Sequence, residues 1–163
     1  MKKLKIILAF VLFLNSSTYS QDPNVKKFAH INTISLELCG FTPYGTINYE
    51  RVIANGTKFK TTGLIGYSFE GIPIIINEVV TFGNSHVVVG LGVLLPEHLT
   101  KSPLDITKPF LTGQLGYRYQ KPEGKFAFQI GLMPVATQDA YGINAFSGEP
   151  WYLWPGLSFG YVF

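Results

Sequence analysis

The chain has 163 residues, with 13 Lys+Arg against 10 Asp+Glu, a single cysteine, 15% aromatic and only 14% charged residues. Such a length holds one domain, the low charge with abundant aromatics suits a lipid-facing barrel and equally a buried sandwich, and a lone Cys39 excludes an intramolecular disulfide. The formal excess of +3 belongs entirely to Lys2, Lys3 and Lys5, so residues 21–163 balance ten bases with ten acids and offer no net charge to nucleic acid or anionic lipid.

Those three lysines begin the first predicted element, a signal peptide over 1–20. They form a basic n-region ahead of the wholly apolar run Ile6 to Leu14, and Asn15 to Ser20 supply a small, polar exit with cleavage after Ser20. An apolar run of about nine residues is too short to span a bilayer as a helix, which takes roughly 20. A short N-terminal periplasmic segment, 21–30, follows, and 31–163 reads as one β-domain. Export with a cleaved signal is the expectation.

Beyond residue 30 the hydrophobic period is two, not 3.6, which predicts strands. Eight are read, over 31–40, 44–53, 57–69, 72–82, 86–95, 108–120, 125–133 and 151–163. Tight connections follow the second, fourth and sixth: Ala54-Asn55-Gly56, Gly83-Asn84-Ser85 and Lys121-Pro122-Glu123-Gly124. Long connections, about 96–107 and 134–150, follow the fifth and seventh. Short turns at one end and longer loops at the other are the layout of an even-stranded outer-membrane barrel with both termini in the periplasm.

Two hairpins give a register. Pairing Tyr119 with Phe126 places Tyr117 against Phe128 and Leu115 against Ile130 on one apolar face, with Arg118 against Ala127 and Gln114 against Gly131 on the other. At Asn55-Gly56 a three-residue turn with Gly56 in a left-handed bulge pairs Glu50 with Lys60 and Tyr49 with Thr61. Charges then meet inside, because an unpaired buried charge is costly. The inward set becomes Thr33, Ser35, Glu37, Asn48, Glu50, Lys60, Gln114, Arg118, Gln129 and Ser158. Within it Glu37, Glu50, Lys60, Gln114, Arg118 and Gln129 form the expected polar network of a lumen filled by side chains. Glu78 in the fourth strand can face either way on a one-residue slip, the lumen being the cheaper side.

Aromatics at the strand ends predict two interfacial girdles. Phe59, Tyr119, Phe126, Tyr161 and Phe163 belong to the periplasmic one, and Tyr44, Tyr67, Phe69, Trp151, Tyr152 and Trp154 to the outer one. The end of the chain, Leu157 to Phe163, places Leu157, Phe159, Tyr161 and Phe163 on a single strand face. That ending resembles the C-terminal signal that the barrel-assembly machinery reads, with Phe159, Tyr161 and Phe163 as its side chains.

Chemistry is weakly signalled. His30, His86 and His98 are scattered without metal-ligand spacing, and Gly90-Leu91-Gly92 lacks the third glycine of a dinucleotide loop. Asn55-Gly56-Thr57 matches a glycosylation sequon but reads as a turn. Membrane-embedded acyl hydrolases need a serine with a histidine at matched depth, and these histidines avoid the strand midsections. No catalytic, cofactor-binding or metal residue is assigned.

Several segments resemble a family of small, uncharacterised Gram-negative outer-membrane β-barrel proteins: Ile47-Asn48-Tyr49-Glu50-Arg51-Val52, Gly83-Asn84-Ser85-His86 leading into Gly90-Leu91-Gly92, Gly116-Tyr117-Arg118-Tyr119-Gln120, Gly131-Leu132-Met133-Pro134, and Trp154-Pro155-Gly156 through Tyr161. The resemblance implies a barrel and no particular chemistry. The expectation is therefore an all-β, eight-stranded antiparallel transmembrane barrel in up-and-down order, monomeric, embedded in outer-membrane lipid after transient contact with the assembly machinery. Its role is structural or surface-binding, without cofactor. The alternatives are a membrane-embedded lipid-modifying enzyme and a soluble periplasmic lipocalin-like carrier.

Overall fold

The computed structural model describes residues 31–42, 44–56, 58–96, 109–136 and 151–163. The predicted signal peptide, the segment 21–30, His30, His98 and most of both long connections lie outside the described residues, as do the side chains of Trp151 and Tyr152. Eight strands run β1 (Asn32–Cys39), β2 (Thr46–Asn55), β3 (Phe59–Tyr67), β4 (Gly71–Phe82), β5 (Ser85–Pro96), β6 (Phe110–Gln120), β7 (Phe126–Ala136) and β8 (Trp151–Val162). Each pairs antiparallel with the next, and β8 pairs with β1, so the sheet closes as an up-and-down barrel without an edge. The closure is tied off at the termini: Asn32 N–H donates to Phe163 O at 3.0 Å and Phe163 N–H donates to Asn32 O at 2.9 Å.

Stepping across paired residues from Val162 through Thr33, Glu50, Leu64, Ile75, Gly92, Thr112 and Val135 returns to β8 at Tyr152, ten residues nearer the loop end. A stagger of that size over eight strands inclines them by about 40–45° to the barrel axis and leaves an interior just wide enough for side chains. The tight connections share one end with the start of β1 and the end of β8. Gly83, at φ +66°, takes the first of the two turn positions between Phe82 and Ser85, where a hairpin turn demands a positive φ. The other end carries the β1–β2 and β3–β4 connections and both long ones.

Period-two alternation sorts the side chains cleanly. Ile47, Tyr49, Phe59, Ile65 and Tyr67 face out and are exposed, while Asn48, Glu50, Lys60 and Thr62 face in and are buried. The registers are longer than the sequence predicts. Glu50 pairs with Leu64, not Lys60, and Tyr49 with Ile65, not Thr61. The hairpin extends to Asn55↔Lys60, and the bulge falls inside β2 between Val52 and Ala54; Gly56 is not among the left-handed residues. At the β6–β7 turn the pairing slips by two, giving Tyr119↔Phe128 and Arg118↔Gln129 in place of Tyr119 with Phe126 and Arg118 with Ala127. Both slips are even, so every side chain keeps its face.

Three further expectations change. Glu78 faces outward, half-buried, because its neighbour Asn77 takes the lumen at that height. Trp154 takes the inward parity opposite Met133 instead of joining an outer girdle. Strand β7 runs on through Pro134 to Ala136, hydrogen-bonded to β8.

The interior contains one apolar cluster. Leu64, Ile75 and Met133 point inward from β3, β4 and β7 and meet Phe41, which belongs to the β1–β2 connection. Phe41 reaches the lumen because Cys39 (φ +57°) and Gly40 (φ +88°) turn the chain through two successive left-handed residues. Gly40 is required twice over: its φ is unfavourable for any L side chain, and a Cβ there would collide with the Glu37 carboxylate.

Candidate functional site

Six charged residues lie on the strands. Glu37, Glu50, Lys60 and Arg118 face the lumen and are buried, whereas Arg51 and Glu78 face outward. A strand cannot put two consecutive residues on one face, so in Glu50-Arg51 and Asn77-Glu78 one member of each pair had to leave the interior.

Near the turn end, four strands contribute one connected network. Glu50 Oε1 accepts the Thr62 hydroxyl at 2.5 Å, and Glu50 Oε2 accepts Arg118 Nη2 at 2.7 Å. Arg118 Nε–H donates to Gln129 Oε1 at 2.8 Å. Strands β2 and β6 stand four apart in a closed ring of eight, so Arg118 reaches across the lumen to its carboxylate. The two side chains are 8% and 5% exposed, which makes this a desolvated, charge-assisted pair. Lys60 is buried beside them and feels both charges. The small cavity bounded by Thr33, Ser35, Glu50, Arg118, Gln129 and Ser158 has room for about one water molecule.

Nearer the loop end, Glu37 Oε2 accepts the Thr46 hydroxyl at 3.0 Å and Asn48 Nδ2–H at 2.9 Å. Gln114 lies opposite Gly90, and its amide oxygen is buried without a hydrogen bond. The predicted lumen residues thus divide into a group around Glu50 and Arg118 with Lys60 and Gln129, a second around Glu37, and Gln114 by itself on β6.

His86 and Glu70 are among the interior residues that escaped the sequence reading. His86 is fully buried at the start of β5, with Nδ1 3.2 Å from the Thr81 hydroxyl and Nε2 3.0 Å from the Gln120 carbonyl. Its position opposite Arg118 on the inward parity was the available signal. Glu70, in the β3–β4 connection, is 2% exposed, and the Ser68 hydroxyl oxygen accepts its N–H at 3.2 Å. No alternation covers a turn, so nothing in the sequence pointed to it.

On the outer face the terminal aromatics pack among themselves. Phe159 meets Phe128 edge-on at 5.4 Å between ring centres, and Tyr161 stacks on Phe163 at 6.1 Å. Among the described residues no three His, Cys, Asp or Glu side chains gather as a metal cluster. Comparison with known proteins gives no match: no family model, curated protein or solved structure is similar to this chain, and the family resemblance rests on its motifs alone.

Proposed function

We propose that the chain is an outer-membrane β-barrel protein with a structural or surface-binding role, exported by a cleaved signal peptide and folded by the barrel-assembly machinery through its terminal strand. One observation carries the reading. Among the described residues thirty large apolar or aromatic side chains are exposed, on every strand of the ring, while the interior holds Glu37, Glu50, Lys60 and Arg118. A soluble monomer rarely exposes an apolar patch above about 300–600 Å². A barrel in lipid requires an apolar outer band, and its closed hydrogen bonding meets the demand that no backbone polar group face hydrocarbon unpaired.

The lipocalin-like alternative calls for the reverse polarity, with an apolar pocket inside. The enzyme alternative calls for a nucleophile and a free base, whereas Glu50, Arg118 and His86 are each held by fixed partners. The charge pairs are better suited to bracing the wall than to turnover.

Subcellular fractionation combined with a heat-modifiability gel tests the proposal. The protein is expected in the outer-membrane fraction, migrating as a compact band unless boiled. Recovery from the periplasm without detergent would overturn it in favour of the carrier, and an altered lipid A profile on deletion would favour the enzyme.

A further inference from the structure

The two outward charges are the part of the surface that a purely lipid-facing role leaves unexplained. Arg51 on β2 is exposed, and Glu78 on β4 is half-buried with Oε1 accepting the Thr61 hydroxyl at 2.6 Å. Close by, Tyr49 O–H donates to Asn32 Oδ1 at 2.8 Å on the same outer face. The described outward positions of β5 to β8 carry no charge at all.

The register fixes where these charges lie. Arg51 pairs with Gly63, and Gly63 with Ile76, two residues before Glu78 on the same strand. At this tilt, stepping from β2 to β4 climbs about 3 Å per strand toward the loop end, and the two residues onward along β4 from Ile76 to Glu78 descend about 5 Å. Arg51 and Glu78 therefore stand at one height within about 2 Å, roughly 12 Å apart around the wall. By the same construction both stand about 10 Å above the ring of Phe82 at the turn end and within about 3 Å of the height of Tyr119 and Tyr161, at the inner edge of the turn-end aromatics.

We infer that this face binds a second copy of the chain, in a two-fold dimer whose axis runs along the membrane normal between Arg51 and Glu78. The inference rests on the outer-membrane reading. Two copies inserted in the same direction can be related only by an axis along that normal, and such an axis carries each group to the opposite side at unchanged height. An acid and a base at one height then meet twice, Arg51 against Glu78 of the second copy and the reverse. That is the self-complementarity a two-fold interface needs. A lone charge facing lipid is costly and marks a functional position, whereas a reciprocal pair between barrels removes both charges from lipid together. This departs from the monomer expected from the sequence, which left the side taken by Glu78 open.

Ile76 and Ile53 fall near the axis line, and both are exposed. Ile130 occupies the opposite side of the barrel at the height of Ile76. In full-length protein carrying Cys39→Ser, an added Ile76→Cys should give an oxidised dimer in outer membranes many-fold above that from Ile130→Cys. Equal crosslinking at both sites, none at Ile76→Cys, or a crosslinked species heavier or lighter than twice the chain would each overturn the dimer. Arg51→Glu or Glu78→Arg alone should reduce the crosslink at Ile76→Cys, and the two together should restore it. Failure of the double variant to restore it in folded protein would overturn the reciprocal pairing of Arg51 with Glu78 across the two-fold axis. If the single variants do not fold, the comparison of Ile76→Cys with Ile130→Cys still decides. A chain found outside the membrane fraction refutes the outer-membrane reading itself, whereas a monomer within that fraction refutes only the dimer.

Discussion

At the scale of single residues, the lumen stands on a desolvated ion pair with hydrogen bonds at both ends. Removing one member of such a pair leaves the other charge buried and costs about 3–5 kcal/mol. Glu50→Gln and Arg118→Met are each expected to lose that much in urea unfolding of the barrel in detergent micelles. The exchange Glu50→Arg with Arg118→Glu should recover a large part of the loss, and Glu50→Lys with Lys60→Glu much less. Greater recovery from the exchange with Lys60 would make Lys60 the true partner. The sequence identified these side chains as inward but misplaced their bonds, for a physical reason: neighbouring strands are implied by turn length, whereas a contact across the lumen depends on the diameter of the closed ring. Arg118 meets Glu50 across 68 positions of chain, and no local pattern encodes that.

At the scale of elements, the β1–β2 connection does more than join two strands, since it lowers Phe41 into the lumen. Phe41→Ala should destabilise the barrel by about 3–5 kcal/mol, the range for emptying a buried aromatic site. Gly40→Ala should cost at least about 1 kcal/mol by the same unfolding measurement, because it combines a positive φ with a Cβ directed at Glu37. Little or no change in either variant would mean that the connection does not seal the barrel in solution. Strand β8 supplies a second test. Phe163 contributes both main-chain bonds to Asn32 as well as a ring stacked on Tyr161. Deleting it should reduce the heat-modifiable folded fraction in outer membranes far more than Val162→Thr does, and Phe163→Asp should match the deletion. Full assembly without Phe163 would remove the terminal strand from the assembly step. Strand faces were legible because each side chain is fixed by parity alone. Registers were not, because shifts of two at β6–β7 and four at β2–β3 leave the faces unchanged. Turn geometry decides among them, and the bulge at Val52–Ala54 carries no glycine to announce it.

At the scale of the whole molecule, the start of β1, the end of β8 and the tight turns share one end, which fixes an orientation once the barrel is placed in a membrane. With Cys39→Ser as background, Tyr44→Cys and Phe69→Cys at the loop end should react with an impermeant maleimide on intact cells. Glu123→Cys at the turn end should react only after the outer membrane is opened. The opposite pattern would invert the topology. The hydrogen bonds between Asn32 and Phe163 carry a separate implication. Because Asn32 and Phe163 are neighbours in the wall, the sequence order of the barrel is one of several cuts through the same ring. Joining them by a short linker and opening the chain between Gly83 and Asn84 gives a circular permutant with all eight strands and their pairings retained, yet without an aromatic at its end. Such a permutant should refold in detergent as readily as the native order and fail to assemble in cells, separating what makes the barrel stable from what directs it to the membrane.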